Sequence, residues 1–242
     1  MVILMLEPSK YYHIYNHANR FENIFINDEN FRFFLEKYQI YLLSVADTLA
    51  YCLMPNHFHL LIKIKIEEEL KGVLSGGKNP QGLTNLQPEQ NLEDFEAVSG
   101  KNPQGLTEPK PLQNLEGFEV GDGVYNKLVS QQFSNLFNCY AKSFNKVYNR
   151  KGSLFIPKFK RKEITTQEYL QQIVIYIHNN PVKHGFTKDL TQWKYSSYNE
   201  IIENKETFIL KEYVISLFDN LENFKYLHSE KANLTIDLKL EK

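Results

Sequence analysis

An α+β fold is predicted for this 242-residue chain by three observations. Short runs rich in β-formers alternate with longer stretches that carry the helical apolar period. Two of the strand-like runs, 47–54 and 57–66, are joined only by Pro55-Asn56, so they pair as an antiparallel hairpin and not through a parallel crossover. A 42% hydrophobic and 14% aromatic content at this length is enough to bury a core with no disulfide or metal staple.

In chain order, residues 10–18 alternate loosely and read as a strand. Residues 28–46 carry apolar residues at Phe31, Phe34, Leu35, Tyr38, Ile40, Tyr41 and Leu42, with Asp28 or Asn30 as cap, and read as an amphipathic helix. The 47–54 and 57–66 hairpin follows. Residues 125–149 form a second helix, broken by Arg150-Lys-Gly152, and 153–162 a further strand. Residues 165–179 are a third helix, ended by Pro181, because proline biases the residue before it away from helical geometry. The order β-α-β-β-α-β-α is that of a split βαβ, ferredoxin-like antiparallel sheet with helices on one face. A last helix, 207–229, lies outside that core, so 201–242 is a C-terminal helical extension.

Between the hairpin and the second long helix, Gly77–Thr84 is repeated identically at Gly100–Thr107, and Gln90–Glu93 at Gln113–Glu116, an offset of 23 residues. Two copies rich in Gly, Pro, Asn and Gln cannot build a solenoid. Residues 66–122 therefore read as a duplicated, largely disordered insertion into a domain formed by 1–65 and 123–200.

The formal net charge of −1 hides an uneven distribution. Residues 66–122 carry 4 basic and 11 acidic groups, and 199–242 carry 6 and 9, which leaves the rest at +9. A basic body suits a polyphosphate partner. Its densest part, 142–162, interleaves Arg150, Lys151, Lys158, Lys160, Arg161 and Lys162 with Phe144, Tyr148, Phe155 and Phe159. Such a pattern serves phosphate contact and base stacking, or equally a solvated helix face followed by a strand with core aromatics. Cys52 and Cys139 form no framework and no CxxC. No run of 18 apolar residues exists, and Met1–Leu6 lacks the basic flank of a signal peptide. A cytoplasmic, nucleoid-associated protein with no membrane partner is expected.

His57-Phe58-His59 on a predicted strand points both imidazoles to one face, where neutral ring nitrogens can bind a divalent metal. An isolated HxH is more often two ordinary half-buried histidines. In Tyr176-Ile-His-Asn-Asn180-Pro181, Tyr176 and Asn180 share a helix face. A tyrosine can be a covalent nucleophile and an amide oxygen a metal ligand, although packing and capping roles are the commoner ones. Tyr169, seven residues before Tyr176, shares its face as a second hydroxyl. His178 points away, towards solvent or nucleic acid. His13 and His17 share one face of the first strand without a matching motif, and His13 reads as structural.

Taken together, Met54-Pro-Asn-His-Phe-His-Leu-Leu61 and Tyr176-Ile-x-x-Asn-Pro-Val182 resemble the HUH-type single-tyrosine transposases. The resemblance is to the IS200-like superfamily, and within it to the REP-associated branch. Tyr11-Tyr-His-Ile-Tyr-Asn16, Asn149-Arg-Lys-Gly-Ser-Leu-Phe155 and Trp193-x-Tyr-Ser-Ser-Tyr198 extend it over roughly 8–65 and 124–200. The resemblance implies a DNA strand transferase that nicks and rejoins single-stranded or hairpin DNA through a 5′-phosphotyrosine on Tyr176. It implies Mg²⁺ or Mn²⁺ held by His57, His59 and, where relatives carry Gln, Asn180. Arg150, Lys151, Lys158, Lys160, Arg161 and Lys162 would contact phosphates, with Arg20 a weaker candidate, and the working form would be a monomer or homodimer. The alternative is a domesticated, non-catalytic DNA-hairpin-binding protein, to which the acidic insertion and the altered third ligand point.

Overall fold

The computed structural model describes residues 4–20, 22–75, 123–203 and 205–230. They divide into two compact units, Met1–Ser9, Ile26–Ala46 and Ile64–Phe155 in one, and Lys10–Phe25, Asp47–Lys63 and Ile156–Lys242 in the other.

The first unit is helical: α1 (Asp28–Leu42), α2 (Glu67–Leu74) and α3 (Val124–Val147). The cap of α1 is Asn27, one residue before the predicted Asp28. Its side chain accepts from the Asn30 N–H, and Asn30 Oδ1 accepts in return from the Asn27 N–H. This reciprocal pairing satisfies two orphan donors of the first turn, with Asn in the place Glu usually takes. The apolar stripe of α1 packs on α3, with Phe34 edge-on to Tyr140 at 5.2 Å and the Tyr148 hydroxyl donating to Asn30 Oδ1 at 3.0 Å. Phe34, Tyr38, Phe133 and Leu136 are fully buried, each contributing about 1.5–3 kcal/mol over exposure.

Helix α2 occupies the first part of the segment expected to be insertion. Leu70 is fully buried and Lys65 reaches Glu69 at 3.2 Å, so ordered chain runs on to Leu74 before the repeats begin. The repeats themselves lie outside the described residues. Helix α3 ends at Val147, and Asn149, with φ +48°, turns the chain out of the helix ahead of Gly152.

The second unit holds a four-stranded antiparallel sheet in the order β2-β3-β1-β4, built from β1 (Tyr11–His17), β2 (Ala46–Met54), β3 (His57–Ile64) and β4 (Lys160–Ile164). The two interior strands, β1 and β3, pair with Tyr15 opposite His59 and His17 opposite His57, and β4 adds with Lys160 opposite Tyr15 and Lys162 opposite His13. Directly opposed side chains share a face. One face of the sheet therefore carries His13, Tyr15, His17, His57, His59, Lys160 and Lys162; Tyr12, Ile14, Phe58, Leu60 and Ile62, all fully buried, take the other.

β4 starts seven residues later than predicted. Pro157 cannot donate to a ladder and Lys158 has φ +65°, so 153–159 is irregular although its aromatic–basic alternation mimics a strand.

Helix α4 (Gln167–Lys183), capped by Thr166, also departs from expectation, because it continues through Pro181. The missing proline N–H costs one ladder bond. Around it, the Asn179 and Asn180 amides donate back to the carbonyls of Ile175 and Tyr176, both at 3.0 Å, and the helix persists to a terminal Asn180 C=O that accepts from His184 N–H.

Beyond a single 3₁₀ turn, Leu190–Gln192, lie α5 (Ser197–Ile202), α6 (Lys211–Ser216) and α7 (Leu221–Glu230). The single helix predicted over 207–229 is two helices. Asp219, at φ +67°, breaks it and Asn220 Oδ1 caps the second by accepting from Asn223 N–H. Nor is this segment outside the core, since Phe218, Phe224 and His228 are fully buried. The chain also clamps the outer edge of β2. Leu53 N–H donates to Tyr195 O, Leu210 N–H to Thr48 O, and the Trp193 indole to Leu53 O, each at 2.9 Å.

Candidate active site

The tight turn before β3 fixes where the HxH pair begins. Pro55 O accepts from Ile24 and Phe25 N–H at 2.7 and 2.9 Å, and Asn56 O from Ala18 N–H at 2.7 Å. The first β3 residue, His57, is thereby held beside the end of β1, and its ring stacks on His17 at 4.7 Å. Two residues on, His59 is fully buried on the same face, and its Nδ1 lies 2.9 Å from His13 Nε2.

Helix α4 brings Tyr176 to this face. Its ring stands edge-on to His59 at 5.5 Å and to His13 at 5.9 Å, and only 5% of the residue is exposed. Lys183, two turns along α4, sets its ammonium 5.2 Å over the Tyr176 ring. His184 completes the group, with its ring 5.0 Å from His57. Five of the seven histidines of the chain thus gather on one face with a tyrosine in their midst.

His57, His59 and Tyr176, chosen from sequence, are brought together; Asn180 lies one helical turn from Tyr176 and is fully buried. His13, His17 and His184 join them without having been chosen. The signal for the first two was the period-two spacing of β1 laid against that of β3, which is readable only once the register is known.

The electrostatics favour a neutral His59. Burial, then the neighbouring His13 and His57, hold His59 well below the ordinary histidine range. Its Nε2 and the Oδ1 of Asn180 are buried and make no hydrogen bond. His57 Nδ1 faces Asn56 Oδ1 at 2.7 Å. An amide oxygen only accepts, so the His57 proton sits on Nδ1 and its Nε2 keeps the lone pair. Among the described residues, no group of three or more His, Cys, Asp and Glu is arranged to hold a metal ion. The candidate set here is of another kind, two imidazoles and an amide oxygen, and the neutral lone pairs and stranded amide oxygen are donors a divalent ion can use.

The basic candidates separate. Lys160 and Lys162 share the histidine face, Lys160 over Tyr15 at 5.9 Å and Lys162 over Tyr169 at 5.0 Å. Arg161 takes the reverse face, its guanidinium 4.8 Å over Phe159, and burial lowers its pKa. Glu163, also on the reverse face, pairs with Lys10 at 3.3 Å. Lys151 and Lys158 are exposed on loops. Arg150 is committed internally, donating to Asn145 Oδ1, Gly152 O and Ser153 O at 2.9, 3.2 and 2.9 Å. It holds the turn after α3.

His178 does not face solvent. It is buried behind α4, bonded through Nδ1 to His228 Nε2 and through Nε2 to Ser197 Oγ, both at 2.8 Å. Its position away from Tyr176 was legible from helix periodicity; the tail segments that cover it were not.

No family model matches the chain, and no curated protein matches it. Four solved chains do. One is a REP-associated tyrosine transposase bound to a REP hairpin, with 14% identity over 84% of each chain and a TM-score of 0.47. Among the described residues no helix is long and apolar enough to cross a membrane.

Proposed function

We propose that the chain is a DNA strand transferase that nicks and rejoins single-stranded or hairpin DNA through Tyr176. The observation that carries this reading is the placing of Tyr176, on α4, edge-on to His59 of the HxH pair and beneath the Lys183 ammonium. A nucleophile, a pair of metal-competent nitrogens and a fixed cation are the parts a transesterification needs.

In this reading His57, His59 and Asn180 would hold Mg²⁺ or Mn²⁺, which when bound polarises the scissile phosphate. Tyr176 gives up its phenolic proton as Oη attacks phosphorus, the Oη–P bond forms, the P–O3′ bond breaks, and the departing 3′ oxygen takes up one proton in return, so the count closes. The product is a 5′-phosphotyrosine and a free 3′-OH. The phosphodiester energy is kept, so the reverse attack by a 3′-OH rejoins strands. Lys183 places positive charge where the phosphate must approach. Lys160 and Lys162, on the same face, would track the backbone, with Tyr15 and Tyr169 beneath them as aromatic surface.

Covalent capture tests this. Incubation with hairpin-bearing single-stranded oligonucleotides and Mn²⁺ is expected to yield a denaturation-resistant protein–DNA band that maps to Tyr176 and vanishes in Tyr176→Phe. A second reading, a hairpin-binding protein without catalysis, is favoured by the near-complete burial of the Tyr176 side chain. It expects hairpin binding unchanged by chelator or by Tyr176→Phe, and no adduct with any hairpin.

A further inference from the structure

Two ring nitrogens facing each other at 2.9 Å, His13 Nε2 and His59 Nδ1, share one proton. A neutral imidazole has a single N–H, so the direction of this bond decides the chemistry of the far nitrogen. Were His13 the donor, the His59 proton would sit on Nε2, a buried atom that meets no acceptor. With His59 as donor, its Nε2 carries a lone pair and the proton of His13 sits on Nδ1, another buried nitrogen. Burial is thus the same either way, and it is a ligand role for His59 Nε2 that requires this second direction.

The first strand supplies this partner through register. His13 lies opposite Leu61, two residues along β3 from His59, so it is a diagonal neighbour on the same face. Both rings are fully buried and stack at 5.1 Å with 20° between planes. The other member of the HxH pair shows the same arrangement with a different acceptor, Asn56 Oδ1 on His57 Nδ1. Two separate elements thus hold the two imidazoles in one tautomer, with both Nε2 atoms left as donors to an ion.

Resting on the metal-binding reading above, we propose that His13 is a positioning residue: it accepts the Nδ1–H of His59, fixes that tautomer, and orients His59 Nε2 as a ligand for the divalent ion. Hydrogen bonds to the far nitrogen of a ligating histidine set its tautomer and orientation, and their loss costs roughly 10–100-fold in metal affinity.

Two measurements test it. In ¹⁵N-labelled, metal-free protein at neutral pH, long-range ¹⁵N–¹H correlation of the His59 ring is expected to show the Nδ1–H tautomer. An Nε2–H signature overturns the assignment, whatever the behaviour of any variant. Calorimetric titration with Mn²⁺ is expected to show His13→Leu weakened by about 10-fold or more, and His13→Gln, whose amide oxygen can accept, within about threefold of the parent chain. Equal affinity in His13→Leu and the parent overturns the positioning role. If His13→Leu does not fold, the tautomer measurement on the parent chain decides. Failure of the parent chain to bind Mn²⁺ overturns the metal-binding reading and with it the ligand role of His59. An Nε2–H tautomer in a chain that does bind Mn²⁺ overturns only the part given to His13.

Discussion

Lowering the pH should loosen the C-terminal helices through one buried pair, and the size of the effect follows from its burial. His228 Nδ1 lies 2.7 Å from Phe224 O, an obligatory acceptor, so Nδ1 holds the proton and Nε2 must accept. His178 Nδ1 therefore donates to His228, its own Nε2 accepts, and Ser197 Oγ donates to it. Every nitrogen is used, and a further proton would break the chain. Burial pushes His228 down to about 4 and, with His228 close by, holds His178 well below the ordinary range. The unfolded chain takes up protons below about 6.5 and the folded chain does not until about 4. Stability is therefore complete above about 6.5 and falls as pH drops towards 4. For His228 alone, linkage gives a loss of about 2.5 kcal/mol between pH 7.5 and 4.5; His178 adds in the same direction. Urea unfolding followed by the fluorescence of Trp193, the one tryptophan, measures it. His59, also held low by burial, contributes in the same pH range, so the parent is compared with His178→Gln/His228→Gln, which keeps amide donors and acceptors but cannot ionise. A pH dependence equal in both proteins would refute the reasoning.

Four further outcomes are expected. Lys160→Ala and Lys162→Ala should each make the salt dependence of single-stranded DNA binding shallower by about 0.7 in log–log slope, measured by fluorescence anisotropy. Arg150→Ala should leave that slope unchanged and cost about 1 kcal/mol of stability in urea, because its guanidinium holds the turn after α3. Excising 76–122 should preserve the thermal midpoint, whereas excising 66–122 removes Leu70 and should lower stability by about 2 kcal/mol. Trp193→Phe, which strips the indole bond from Leu53 O on the β2 edge, should cost about 1 kcal/mol in urea unfolding of variant and parent followed by far-ultraviolet circular dichroism.

Local chemistry was legible in the sequence wherever one element decided the outcome. The Pro55-Asn56 turn, the alternation that puts His57 and His59 on one face, and the four-residue step from Tyr176 to Asn180 all survive in the structure. Boundaries slipped where competing local signals met. Pro181 reads as a helix stop, but α4 runs through it to Lys183 at the cost of one ladder bond. Lys158 sits in an alternating run, but its left-handed backbone forbids a strand there. What stayed hidden was any contact made by register or by tail docking. His13 meets His59 across 46 residues, and His178 meets His228 across 50. Arg150 looked like a phosphate ligand because composition records charge and not how a guanidinium is already spent.

The two outer strands of the sheet bear on how copies of this protein can and cannot assemble. An open strand edge is an invitation for another chain to add on. On the β2 side that invitation is withdrawn by the chain's own later segments, which meet the strand at Thr48 and Cys52 through bridges to Ile209 and Ser196. On the β4 side the strand is five residues long and bears exposed lysines at 160 and 162. Charge guards that flank until a polyanion neutralises it. Sheet-to-sheet growth between copies is thus blocked by structure at one border and by repulsion at the other. Homodimers, where they form, must use surfaces other than a continuous sheet.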